Sequence, residues 1–185
     1  MKLLKKTPVA VIIMIVSIVL SAVLGCGRSL KKERSNVEDY FYNGEDGDGY
    51  SIQNDIETLC ANVNNLKVIA LRYTDSVPGL EEKITAMTDA RRALTEVKNI
   101  GDKYAAVQEV AARVTEVYNA LIPEDMNTTD RGFRASLYED INSTLDRISH
   151  NGYNAAAQKF NDILNAFPAK QIAELIGVDE MPLYS

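Results

Sequence analysis

The first apolar pattern in the chain has no period at all. Val9 to Leu24 reads VAVIIMIVSIVLSAVL, sixteen residues without a charge. At about 1.5 Å per residue the run covers about 24 Å, and Gly25 to Gly27 brings it near the ~30 Å of a hydrocarbon core. A secretory signal has a shorter apolar region of about 7–15 residues, so the length predicts a retained transmembrane helix within residues 1–27. The next stretch, SLKKERSNVEDYFY, has no breaker and continues the helix to about Tyr42. NGEDGDGY then ends it in a turn, because Gly44, Gly47 and Gly49 favour turns. Residues 28–50 thus form a juxtamembrane helix and a Gly/Asp-rich turn.

From Ser51 the pattern becomes periodic. Ser51 is an N-cap candidate for a helix to about Tyr73, whose apolar positions Ile52, Ile56, Leu59, Val63, Leu66, Ile69 and Tyr73 step by three or four. Pro78 suits the first turn of a third helix, ending near Val97. Asp102 is the expected cap of a fourth, with Tyr104, Val107, Val110, Ala111, Val114, Val117, Tyr118 and Leu121 on one stripe. IPEDMNTTDRG reads as a loop. A last long helix is expected from about Thr129 to Phe167, about 58 Å by its rise. AKQIAELIG closes the series, with Gly177 in a C-cap role. Five amphipathic segments without a strand candidate predict an all-α chain: an N-terminal transmembrane helix followed by an elongated antiparallel helical bundle over 51–185.

The closing stretch YNAAAQKFNDILNAFP carries two apolar rows. Tyr153, Ala157, Phe160, Leu164 and Phe167 step by 4, 3, 4, 3, and Gly152, Ala156, Phe160 and Ile163 run beside them. Together they make a face wider than a single coiled-coil seam, suited to a bundle core. Next to it lies an uncharged carboxamide row, Asn154, Gln158, Asn161 and Asn165. Such a row is solvated by default. It can instead bond a neighbouring helix and fix register, as buried Asn does. It is also the one residue-level candidate for an interaction surface.

Charge sharpens the division between the ends. The chain has 20 Lys/Arg and 26 Asp/Glu, a net of -6. Residues 1–34 hold seven of those bases and one acid, leaving 13 bases against 25 acids, a net of -12, in the rest. An acidic domain repels phosphate backbones, which argues against nucleic acid as a partner. The basic residues around the apolar run, Lys2, Lys5, Lys6, Arg28, Lys31, Lys32 and Arg34, can contact anionic headgroups instead. The bilayer is therefore the first expected partner. The flanking charges tie across the span, and the short basic leader favours a domain outside the cytoplasm. A second reading of the same segment rests on AVLGC, which places small or apolar residues before Cys26 as a bacterial lipoprotein signal does. Cleavage there would leave a lipidated Cys26 as the N-terminus.

YNAAAQKFNDILNAFPAKQIAELIG resembles the closing signature of the LemA family, with its YN, FN, FP and final IG elements. LRYTDSVPGL is similar to that family's Arg-x-x-Asp-x-x-Pro-x-Leu stretch, and EVYNALIPEDMNTTDRGFRASLYEDINSTLDRIS to the segment between its last two long helices. The likeness runs collinearly over about residues 55–177. The stretch after Pro78 is about three helical turns shorter than the family pattern. His150-Asn151-Gly152 stands where the family has an Arg before the YN pair. The resemblance implies a bacterial cell-membrane protein with a helical bundle, an undefined biological process and no known catalytic residues.

Little reactive chemistry is legible. His150 is the only histidine, which excludes a two-histidine metal motif and weakens Ser-His or Cys-His schemes. Cys60 reads as a small buried residue. Asp46, Asp48, Asn54 and Glu57 fall at positions 1, 3, 9 and 12 of a calcium loop, but Ser51 replaces the glycine its turn needs. The sequence thus predicts no catalytic, metal or cofactor residues. It fits a non-catalytic, membrane-anchored scaffold with a protein partner in the membrane or envelope, or with a second copy. The competing readings are a membrane-associated enzyme with a carboxylate or metal site between helices, and a membrane-shaping oligomer.

Overall fold

The computed structural model describes residues 7–185. Lys2, Lys5 and Lys6, expected to flank the span, lie outside the described residues. Among these residues every regular element is helical: α1 (Thr7–Asn43), α2 (Ile52–Ala70), α3 (Leu80–Glu96), α4 (Ile100–Leu121), α5 (Thr128–Ser149), α6 (Tyr153–Asn165) and α7 (Ala169–Ile176). The all-α class is as predicted.

α1 runs 37 residues without a break, about 56 Å by its rise. It is long and apolar enough to cross a membrane, and none of its most apolar stretch is buried. Ile12 and Leu24 are about 60% exposed. Further along, the same helix turns inward, and Leu30, Val37 and Phe41 are buried. Gly44 ends it at φ 87°, where a Cβ would meet the Tyr50 backbone at 2.9 Å. A side chain is excluded there both by conformation and by space.

The packing divides the chain into two units. One comprises Asp39–Ala155 with Pro182–Ser185. Ser51 caps α2 as expected, accepting from the Asn54 N–H at 3.1 Å. Its hydroxyl also donates to the Tyr42 carbonyl, tying the end of α1 to the start of α2. α2 packs on α3 and α5, and α3 on α4. The α2–α5 pair is antiparallel. Asp55 in the first turn of α2 pairs with Arg147 near the end of α5, and Arg72 past the end of α2 pairs with Asp130 in the first turn of α5. The predicted α2 stripe is buried from Ile52 to Ile69, and Val107, Val110, Val114, Val117 and Leu121 are buried in α4.

The other unit comprises Met1–Glu38 with Ala156–Met181. Its apolar interior includes Leu30 and Val37 of α1, Ala157, Phe160 and Leu164 of α6, and Ile172 and Ala173 of α7. Gly27 brings α1 close to α7: a Cβ on it would meet the Ile176 side chain at 3.0 Å. Gly177 ends α7 in the left-handed region at φ 66°, the expected C-cap.

Several expectations are corrected. The long helix from Thr129 to Phe167 is two helices, broken at His150–Gly152. Asn151 starts the second by offering its side-chain oxygen to the Tyr153 N–H at 2.9 Å. Gly152 lets the chain approach the Tyr40 hydroxyl, which a Cβ would meet at 2.6 Å. The single 58 Å rod therefore does not form. α3 begins after Pro78, with Gly79 at φ 74° as its N-cap. Asn99 rather than Asp102 caps α4, accepting from the Gly101 N–H. Phe167 lies beyond the end of α6 and is 85% exposed, and Ile163 and Gly152 of the second row are exposed too. The buried face of α6 is the row Tyr153, Ala157, Phe160 and Leu164 with Asn161 beside it.

Candidate functional site

The carboxamide row is occupied by the chain's own C-terminal tail. In the unit containing α7, Asn161 is buried and bonds both backbone groups of Met181. Its amide donates to the carbonyl at 2.9 Å, and its oxygen accepts from the N–H at 2.8 Å. Asn165 donates to the Asn161 carbonyl and to the Glu180 carboxylate. In the unit containing α2, Asn154 makes the same paired contact with Tyr184, at 2.8 and 2.7 Å. The Tyr153 hydroxyl donates to the Pro182 carbonyl at 2.7 Å. Gln158 is exposed and donates only to Asp162, one turn on.

Each amide supplies one donor and one acceptor, so it mimics a strand neighbour for a residue that has none. Backbone groups that would otherwise be buried unpaired are satisfied. Sequence spacing marks the row but not its partner, which lies 20 to 30 residues away.

Two further polar nodes escaped the sequence reading. Asp130 is 2% exposed. It accepts from Arg72 at 2.6 Å, from the Tyr73 hydroxyl at 2.9 Å and from Asn127 at 2.9 Å. The Tyr73 hydroxyl foremost, with Asn127 and Arg72, holds its carboxyl below the usual range against the opposing push of burial. Lys103 is buried where the α4 stripe had predicted Tyr104. Its ammonium donates to Gln53 at 2.7 Å and lies 5.7 and 5.8 Å from the centroids of Phe41 and Tyr42. Burial lowers its pKa from the ordinary lysine value. Neither node is readable from periodicity, because each is assembled from different helices.

The unit containing α2 has hollows at its glycine-rich turn and beside Tyr184. An open polar cleft of about 550 Å³ beside the glycine-rich turn is lined by Asp39, Asn43, Ser51, Asn54 and Glu57 among others. Here Asp48 accepts from the Tyr50 N–H and Asn54 donates to the Gly49 carbonyl, so the turn caps itself. The Asp46 side chain falls outside the described set. A smaller cavity of about 240 Å³ is lined by Ile52, Tyr104, Ile148, Asn154 and Tyr184 among others. The Tyr184 hydroxyl is buried without a hydrogen-bond partner, and burial raises its pKa strongly.

The reactive residue types are scattered. His150 is exposed at the end of α5, with Ser149 and Asp146 beside it. Both neighbours meet the same ring nitrogen, Nδ1. A proton relay needs one partner on each nitrogen, so this trio closes a helix end and does not form a triad. Cys60 is buried, which pushes its thiol up, and Cys26 is exposed on α1. Among the described residues no three His, Cys, Asp or Glu side chains are grouped to hold a metal ion. No family model, curated protein or solved structure matches the chain.

Proposed function

We propose that the chain is a non-catalytic, membrane-anchored helical scaffold of the LemA type. In this reading α1 passes once through a bacterial cell membrane, the helical domain lies on the extracytoplasmic side, and a membrane or envelope protein or a second copy is the partner. The observation that carries it is the continuity of α1. An exposed, uncharged run leads without a break into turns whose Leu30, Val37 and Phe41 are buried. Apolar surface costs about 25 cal/mol per Å² in water, so the exposed run calls for lipid. The helix that would enter lipid is the same one that the domain folds around.

Photo-crosslinking of the full chain in its native membrane, read by mass spectrometry, tests the scaffold. Recurrent crosslinks from α2–α5 to one protein, or to a second copy, are expected. Their absence would reject the scaffold reading. Intact mass of the membrane fraction tests the anchor. The expected mass includes Met1 and no acyl chain. Loss of residues 1–25 with diacylglycerol on Cys26 would make the chain a lipoprotein instead.

A further inference from the structure

We propose that α7 and the elbow before it form a second membrane contact, an interfacial one, in which Phe167 and Leu175 enter the headgroup–acyl boundary of the bilayer that α1 crosses. The inference rests on the reading that α1 spans that bilayer.

The height of α7 along α1 comes first. Gly27 is the last residue of the uncharged run, and Arg28 carries the first charge after it. In the unit they share, Gly27 is the residue that faces Ile176 of α7. A membrane-crossing α1 therefore places that end of α7 level with the headgroups. Seven residues further along α1, Arg34 donates to the carbonyl of Asp179. That is about 10.5 Å farther from the apolar run. The chain thus leaves α7 away from the bilayer, and α7 is the part of this unit held at the surface. Its eight residues measure about 12 Å, so none of it lies far from that level.

The second observation is what α7 and the elbow expose. Ile172 and Ala173 are buried and Ile176 faces Gly27, which accounts for the inner face. Leu175 is nonetheless 73% exposed and Phe167 85% exposed. Ile163, in the last turns of α6, is 49% exposed. Single exposed apolar residues are ordinary on a soluble surface. Phe167 and Leu175, in the unit that also holds the exposed apolar run of α1, match an interfacial segment, which buries its apolar side about 5–10 Å into the boundary. Charge does not drive the contact, because exposed Lys170 and Glu174 offset each other. The contact is apolar and insensitive to salt.

The chain contains no tryptophan, so a single introduced one reports its own depth. The full chain is reconstituted in phosphatidylcholine vesicles, with and without lipids brominated near the headgroup or deep in the acyl chain. Phe167→Trp and Leu175→Trp replace exposed residues and leave the interior untouched. Both should lose emission to the shallow bromines, equally at low and high salt. Leu20→Trp should lose emission to the deep ones. Quenching of Leu20→Trp without quenching of Phe167→Trp and Leu175→Trp would overturn this inference alone and assign the patch to a protein contact. An unquenched Leu20→Trp would remove the membrane span, and this inference with it.

Discussion

The apolar stripe of α2 and the carboxamide row of α6 are both periodic, and they do opposite work. Ile52, Ile56, Leu59, Val63, Leu66 and Ile69 are buried against whichever apolar side chains α3 and α5 present. Apolar burial is non-directional, so a stripe needs a neighbour but not a particular one. Asn154 and Asn161 need particular atoms, the N–H and C=O of Tyr184 and Met181. A stripe therefore predicts its own burial, whereas an amide row leaves its partner unnamed.

The difference can be broken or sharpened by substitution, using a fragment from Ser29 onward that keeps Leu30, Val37 and Phe41. The largest effect should come from the apolar side. Phe160 is 3% exposed, and Phe160→Ala should cost about 3–5 kcal/mol by chemical denaturation. A cost under about 1 kcal/mol would mean that α6 packs loosely. Asn161→Ala comes next. It strands two buried backbone groups of Met181 and should cost about 1–3 kcal/mol. Faster hydrogen exchange at the Met181 amide should accompany it. Asn154→Ala, at a half-buried site, should cost less, about 1 kcal/mol. Equal costs at the two sites would show that burial does not set the strength of the clamp.

A third measurement asks whether a polar node acts like either element. The Asp130 carboxyl is depressed in the folded chain. Its contribution is fully present above the unfolded value, about 3.9. It is lost as pH falls through the lower folded value. The urea midpoint of the fragment should therefore drop in that acidic window, and Asp130→Asn should flatten the drop. The smallest effect belongs to Gln158→Ala. Gln158 bonds only Asp162 at the surface, so a change within about 0.5 kcal/mol is expected.

The same contrast explains what was legible in the sequence. The exposed run of α1, the α2 and α4 stripes, the Ser51 cap and the Gly177 terminus are local signals, and each was readable. The break at His150–Gly152 was also local, in Asn151 and Gly152, but the apolar rows on either side hid it. Lys103 displaced Tyr104 from the α4 interior because Gln53, Phe41 and Tyr42 receive its ammonium, and all three come from other helices. The tail clamp, the Asp130 node and the cavity beside Tyr184 share that origin. Each exists only after distant segments meet.

In the proposed reading, in which α1 crosses the membrane, its unbroken course would make bilayer thickness a mechanical input. An apolar segment longer than the local hydrocarbon layer tilts to fit it. A helix that stays regular through its exit, with no proline or bulge, has no hinge to absorb the tilt. Between Leu24 and Phe41, α1 carries the small residues Gly25, Cys26, Gly27, Ser29 and Ser35, and it stays helical through all of them. A tilt of the span would therefore turn Leu30 and Val37, in the same unit, with it. The interior side chains would feel lipid composition through a rigid lever, with no ligand bound.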